Sequence, residues 1–206
     1  MPPPRPLKVL YHVHPGYDPM DFIGPYEIFS WGKHNSSTNI EEALPAFENH
    51  LTGDTTPIIA HSKLSVNTSL TLKKAYTLLP TFDILVIPGG GSENVLPQRT
   101  EPIALIQAFA ALPPREDGGT RTLMSVCTGS LFVAESGVLA GKDATTHPLY
   151  TEKLKGILEP QGGKVHHGER FVANPVDGKK GLRIVTAGGV SAGMVCWILL
   201  LACDSY

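Results

Sequence analysis

The chain has 206 residues, of which 42% are hydrophobic and 17% charged, and a formal net charge of −2. That length suits one domain with a substantial core, and the composition is ordinary for a globular protein. The near-neutral balance removes any electrostatic reason to expect nucleic acid or an anionic membrane as partner. Three cysteines, Cys127, Cys196 and Cys203, are too few and too scattered for a disulfide framework or a zinc cluster, and their odd number leaves at least one free thiol. A reducing, cytoplasmic location is the expectation.

In chain order, the proline-rich start to Pro6 lacks the apolar core of a signal peptide, and Leu7 to Val13 is β-rich, predicting a buried first strand. A turn through His14-Pro15-Gly16-Tyr17-Asp18-Pro19 precedes a helix with Phe22, Tyr26 and Phe29 on one face and Asp21 near its start. Residues 32–56 show no periodicity and are expected to form a loop insertion in a single domain spanning 1–206. Pro57 to His61 resumes strand character, and Ser69 to Leu72 suggests a short extended arm. Phe82 to Ile87 is an apolar strand stopped by Pro88-Gly89-Gly90-Gly91, the pattern of a central parallel strand with a binding loop at its carboxyl end. A helix from Pro102 carries Leu105, Phe109 and Leu112 on one stripe.

Arg121 to Val126 forms the next strand and runs directly into Cys127-Thr128-Gly129-Ser130, small residues that open a helix. Thr145-Thr146-His147-Pro148 reads as a short extended piece before a polar helix from Leu149 to Leu158. Two further strands, Phe171 to Asn174 and Leu182 to Thr186, flank the hairpin signal Asp177-Gly178, and Gly188-Gly189 leads to a final apolar helix. The apolar run from Met194 to Cys203 is too short to span a bilayer, which takes about 20 residues. The closing Cys203-Asp204-Ser205-Tyr206 has prenylation spacing but neither the aliphatic middle nor a suitable last residue. Alternating strands and helices make the fold α/β with a mainly parallel sheet.

The chemistry centres on Cys127. A residue between an apolar strand and a helix opened by small residues must turn sharply, so its side chain projects from the sheet end, as in a nucleophile elbow. Amide groups at the helix start would lower the thiol pKa, predicting an anionic sulfur. Gly89, Gly90 and Gly91 permit close backbone approach and can aim N–H groups at an oxyanion. Asp21 is a candidate general acid or base, or only a helix cap; Glu27 is the rival carboxylate, and periodicity does not choose between them. His147 would polarise the thiol, bind substrate, or simply pack at a strand end. His166-His167 is read as a solvated pair; no metal or cofactor is expected.

Taken together, Asp21-Phe22-Ile23-Gly24-Pro25, Ile87-Pro88-Gly89-Gly90-Gly91, Ser125-Val126-Cys127-Thr128-Gly129-Ser130, Gly141 to His147 and Thr186 to Gly193 resemble the ThiJ/PfpI superfamily across nearly the whole chain. Within it the chain is most similar to the isocyanide hydratase branch and to the amidase-like sensor domains of AraC-type regulators. The resemblance implies a flavodoxin-like three-layer sandwich of the class I glutamine amidotransferase type, a homodimer and a small-molecule substrate. It further implies that Cys127 attacks the terminal carbon of an isocyanide, that Asp21 handles the proton, and that the Gly90 and Thr128 N–H groups steady the charge, with Gly89, Gly129 and His147 lining the site. Water then releases an N-substituted formamide. Threonine at 128, where protease-like relatives carry histidine, argues against a Cys–His dyad. Glyoxalase- or deglycase-like chemistry on α-oxoaldehydes and a non-catalytic redox or ligand sensor are the alternatives. Val195 stands where relatives usually have aspartate, and no helix-turn-helix pattern is present.

Overall fold

A computed structural model of the chain describes residues 5–34 and 43–194. Strand β1 (Leu7–His12) leads to helix α1 (Pro19–Trp31), whose cap is Asp18, accepting the Met20 N–H at 3.1 Å. Pro19 opens α1 at a position where an amide would go unpaired anyway, and its ring presets the helical φ. Strand β2 (Phe47–Thr52) follows, then the short antiparallel pair β3 (Ile58–Ile59) and β4 (Ser65–Val66), then helix α2 (Leu72–Leu78), capped by Thr71. Strand β5 (Ile84–Ile87) and helices α3 (Ser92–Gln98) and α4 (Ile103–Ala110) precede β6 (Arg121–Val126) and α5 (Gly129–Glu135). The remaining elements are β7 (Asp143–Ala144), α6 (Thr151–Leu158), β8 (Lys164–Val165), β9 (Phe171–Ala173) and β10 (Leu182–Ala187), after which a helix begins at Val190.

Six strands form the main sheet in the order β2-β1-β5-β6-β10-β9, parallel throughout except for the β9 edge. Tyr11 pairs with Val86, Ile87 with Ser125 and Val126 with Ala187, so β1, β5, β6 and β10 end at one level. Side-chain alternation divides the core between the two faces of the sheet. Val9, Tyr11, Val86, Met124 and Val185 pack on the α1 side with Phe22 and Phe29. Leu10, Leu85, Leu123 and Ile184 pack on the opposite side with Phe109, Phe132 and Leu154 from α4, α5 and α6. Burial on both faces is why β5 reads as an unbroken apolar run. The result is the expected flavodoxin-like three-layer α/β sandwich. Because β1 is flanked by β2 and β5, the chain reverses its direction of sheet growth at β1, and the loops at the carboxyl ends there form a natural site.

Several expectations need correction. Residues 32–56 are not simply an insertion, since they contain β2, which runs parallel to β1 over its full length; 35–42 lie outside the described residues. An edge strand with Glu48, Asn49 and His50 in its middle carries too little apolar alternation to be read from sequence. The Ser69–Leu72 arm is instead the approach to α2, and α2 and α3 were both missed because seven residues give scarcely two turns of periodicity. The hairpin is present, with Asp177 N–H donating to Leu182 O at 2.9 Å and β9 antiparallel to β10. Val195 and the apolar tail lie outside the described residues. No helix among the described residues is long and apolar enough to cross a membrane.

Phe109, 1% exposed, anchors α4 in the second core. Phe109→Ala is expected to lower unfolding stability by about 3–5 kcal/mol, measured by urea titration, because the cavity adds to the lost transfer energy. A loss below about 1 kcal/mol would show that α4 does not pack as described.

Candidate active site

Cys127 adopts φ 57, a left-handed conformation uncommon for a residue with a Cβ. Such a conformation costs ~1–3 kcal/mol and persists only where the surroundings enforce it. Here the backbone is held at both ends: Cys127 N–H donates to Ala187 O at 2.8 Å, and Cys127 O accepts from Ser130 Oγ at 3.2 Å and Thr146 Oγ1 at 3.1 Å. The strand–turn–helix elbow predicted from sequence is therefore present, and the cysteine is a half-buried free thiol.

Asp21 and the glycine loop close on the elbow from either side. Asp21 is fully buried in the first turn of α1, where its Oδ2 accepts the Gly89 N–H at 3.2 Å while Oδ1 has no hydrogen-bond partner. Gly90 N–H donates to Thr128 Oγ1 at 2.8 Å, and Asp18 N–H donates to Gly89 O at 2.9 Å. The fit leaves no room for a side chain at position 89. A Cβ there would lie 2.7 Å from both Thr128 N and Thr128 Oγ1 and 2.8 Å from Asp21 Oδ2. The loop glycines thus serve close approach, as expected, but the Gly90 amide is taken by the Thr128 hydroxyl and is not free to meet an oxyanion.

The electrostatics reverse one expectation. Burial, then the negative charge of Asp21, pushes the Cys127 thiol up to about 12, and the opposing pull of the Thr128 N–H is too weak to offset them. Burial also raises Asp21, to about 7, with the Asp18 charge adding to it and the Gly89 and Cys127 hydrogen bonds opposing it. At neutral pH the sulfur is therefore a protonated thiol, not a resting thiolate, beside a carboxyl group that ionises near the same pH. Removing a charged group from water outweighs a few oriented amides when two acids share one dry site.

This arrangement was compared with known proteins. Residues 7–197 match the DJ-1/PfpI family. The chain belongs to that family. It is 28% identical over 189 residues to the isonitrile hydratase of Pseudomonas putida, covering 91% of this chain and 68% of that protein. Among solved structures, a THiJ/PfpI family protein from Pseudomonas syringae superposes with a TM-score of 0.70 at 21% identity, covering 96% of this chain and 69% of that one. Schizosaccharomyces pombe DJ-1 gives 0.69 at 20% identity, covering 97% and 93%.

In this DJ-1/PfpI chain the other predicted residues take different places. Gly129 is a packing position, where a Cβ would meet Ile87 O at 2.4 Å, so its role is to seat α5 against the end of β5. The ring of His147 caps the turn that follows it, Nδ1 accepting Leu149 N–H at 3.3 Å. Its neighbour Thr146, not singled out from sequence, is the residue that reaches the elbow. Glu27 lies exposed and accepts the Trp31 indole N–H at 2.7 Å, leaving Asp21 as the carboxyl group at the thiol. The cap role proposed for Asp21 belongs to Asp18. His166 and His167 lie at the surface, His166 Nε2 2.9 Å from Asp143 Oδ2 and His167 Nδ1 3.0 Å from Thr151 Oγ1. Among the described residues no group of His, Cys, Asp or Glu is arranged to hold a metal ion. His14 was also passed over, because a His-Pro-Gly sequence reads first as turn chemistry; its fully buried ring contacts the glycine loop.

A carboxyl raised from 3.8 to about 7 in the folded state keeps a proton that the unfolded chain gives up, so folding loses stability as pH climbs from about 4 to about 7, by up to about 4 kcal/mol for this group. Asp21→Asn is expected to lack that slope, so the wild-type minus variant difference in unfolding free energy should fall as pH climbs from about 4 to about 7. Parallel pH profiles for the two proteins would show that Asp21 ionises freely.

Proposed function

We propose that the protein is a cysteine-dependent hydratase that converts an isocyanide, R–N≡C, to the formamide R–NH–CHO. The observation that carries this reading is the pairing of the Cys127 thiol with a buried carboxyl group raised to about 7, in a chain 28% identical to an isonitrile hydratase. An isocyanide carbon is both electrophile and latent base, so it needs a nucleophile and a proton at the same place.

Cys127 sulfur attacks the terminal carbon while Asp21 carboxylate takes the thiol proton, which avoids populating a free thiolate. Asp21 returns that proton to the same carbon, giving the thioimidate R–N=CH–S–Cys127. Water then adds to the carbon with Asp21 again accepting a proton, and the C–S bond breaks with its electron pair leaving on sulfur. The water oxygen ends as the formamide carbonyl. One of its hydrogens ends on nitrogen, and the other restores the thiol through Asp21. Thr128, its hydroxyl oxygen already accepting from Gly90, keeps its own O–H free to donate to the nitrogen as negative charge develops there.

A protonated thiol also weighs against the peroxide-sensing alternative, because the thiolate is the form that oxidises readily. The reading further places the enzyme in the cytoplasm as a homodimer, for which the exposed Met20, Ile23 and Trp31 along α1 provide apolar surface. A monomer by light scattering would count against that arrangement.

Purified protein incubated with an alkyl isocyanide is expected to yield the formamide, and Cys127→Ala to yield none; equal turnover by that variant eliminates the mechanism. Turnover should rise as pH increases through about 7, where Asp21 becomes the ionised base. Asp21→Asn should lower kcat by about 10²–10⁴. The same substitution should speed Cys127 alkylation by iodoacetamide at pH 8, because removing the neighbouring charge makes the thiol more acidic. Slower alkylation together with full turnover would remove Asp21 from the reaction.

A further inference from the structure

Against the glycine loop lies a buried ring that the reaction scheme does not use. His14 follows β1, is 0% exposed, and places Nε2 2.8 Å from Gly90 O. A carbonyl oxygen only accepts, so Nε2 must carry the hydrogen and Nδ1 must be bare. Nδ1 has no partner, which leaves the Gly90 carbonyl as the ring's single hydrogen bond. Phe132 of α5 packs edge-on against the imidazole with centroids 5.0 Å apart, fixing its plane. Burial lowers the ring's pKa to about 4, so it is neutral at working pH, with its charge state further influenced by His12 at the end of β1 and Asp54 beyond β2.

The consequence lies in what Gly90 does on its other side. Its amide donates to Thr128 Oγ1, and the amide of Gly89 donates to Asp21 Oδ2. Both carbonyls are also held, Gly89 O by Asp18 N–H and Gly90 O by His14. Gly90 and Gly91 have φ 86 and 58 and no side chains to brace them; besides these four hydrogen bonds, the loop is held by a bridge between Tyr17 and Gly90 and by Gly91 O, which accepts the Asn94 and Val95 N–H groups. Three of the four come from residues in or next to the site's own helix and elbow; the fourth comes from a buried aromatic ring.

We propose that His14 is a positioning residue for the reaction: by donating from Nε2 to Gly90 O it holds the glycine loop so that Gly90 directs the Thr128 hydroxyl and Gly89 supports Asp21. This rests on the Cys127–Asp21 reading of the site. Without the donor, the Gly90 carbonyl loses its partner and its peptide is held less firmly, so the amides that support Thr128 and Asp21 shift relative to the sulfur. Phenylalanine fits the shape of this aromatic slot without a donor; glutamine brings an N–H to nearly the same point as Nε2.

The test compares His14→Phe, His14→Gln and the wild-type full chain. For His14→Phe, kcat on an alkyl isocyanide should fall at least about tenfold with KM within about threefold, the size of effect that one lost hydrogen bond produces. The pH profile of Cys127 alkylation by iodoacetamide should shift as well. His14→Gln should restore both to within about threefold of wild type, which a purely space-filling role would not predict. Wild-type kcat and alkylation profile in His14→Phe, or a His14→Gln variant as impaired as His14→Phe, overturns the proposal. Should His14→Phe fail to fold, the ring tautomer decides: nitrogen NMR of the wild-type protein at neutral pH should show His14 as the Nε2–H form, and an Nδ1–H form overturns it. The alkylation profile needs no isocyanide. A shifted profile in His14→Phe, with a wild-type protein that turns over no isocyanide, would therefore uphold the role of His14 while defeating the hydratase reading.

Discussion

Everything at the site depends on a contact too tight for a methyl group. At Gly89, Thr128 and Asp21 come so close to the backbone that a Cβ would lie within 2.8 Å of atoms from both. Three segments far apart in the chain meet there: the start of α1, the loop after β5 and the elbow after β6. Because the packing is that close, the amide of residue 89 can donate straight to the Asp21 carboxyl and the amide of residue 90 to Thr128. The parallel sheet makes this meeting possible, since β1, β5 and β6 end at one level and their loops share one edge.

The same closeness determines the electrostatics. Water is the cheapest stabiliser of a carboxylate or a thiolate, and this packing removes much of it. Burial raises Asp21 and Cys127 together, and each anion disfavours the other, so at neutral pH the thiol keeps its proton and part of the Asp21 population keeps one as well. The strain of φ 57 at Cys127 belongs to the same design: Ala187, Ser130 and Thr146 hold the backbone in a conformation the residue would not choose, and so aim the sulfur out of the sheet end.

The elements that sequence revealed were those whose pattern is local. β1, β5, β6 and β10 stood out as apolar runs, α1 and α4 as stripes, and the elbow as a strand that stops at Cys127 before small residues. β2 stayed hidden because its polar centre, Glu48-Asn49-His50, follows the requirements of a sheet edge and not those of a core. α2 and α3 stayed hidden because they are short. Within the site, the structure brings Cys127, Asp21, Thr128 and Gly89 together, while the His147 ring caps a turn and Gly129 serves close packing. Thr146 and His14 gave no local signal of involvement, because each acts on a backbone carbonyl far away in sequence.

By itself the sequence determined the layer architecture, the parallel sheet and the position of the cysteine elbow, because periodicity and the chemistry of a sharp turn are properties of adjacent residues. The choice of Asp21 over Glu27, the protonated state of the thiol and the occupation of the Gly90 amide were decided only by the tertiary structure. Those depend on which groups lose water together, and burial is a property of the assembled fold that no stretch of chain possesses alone.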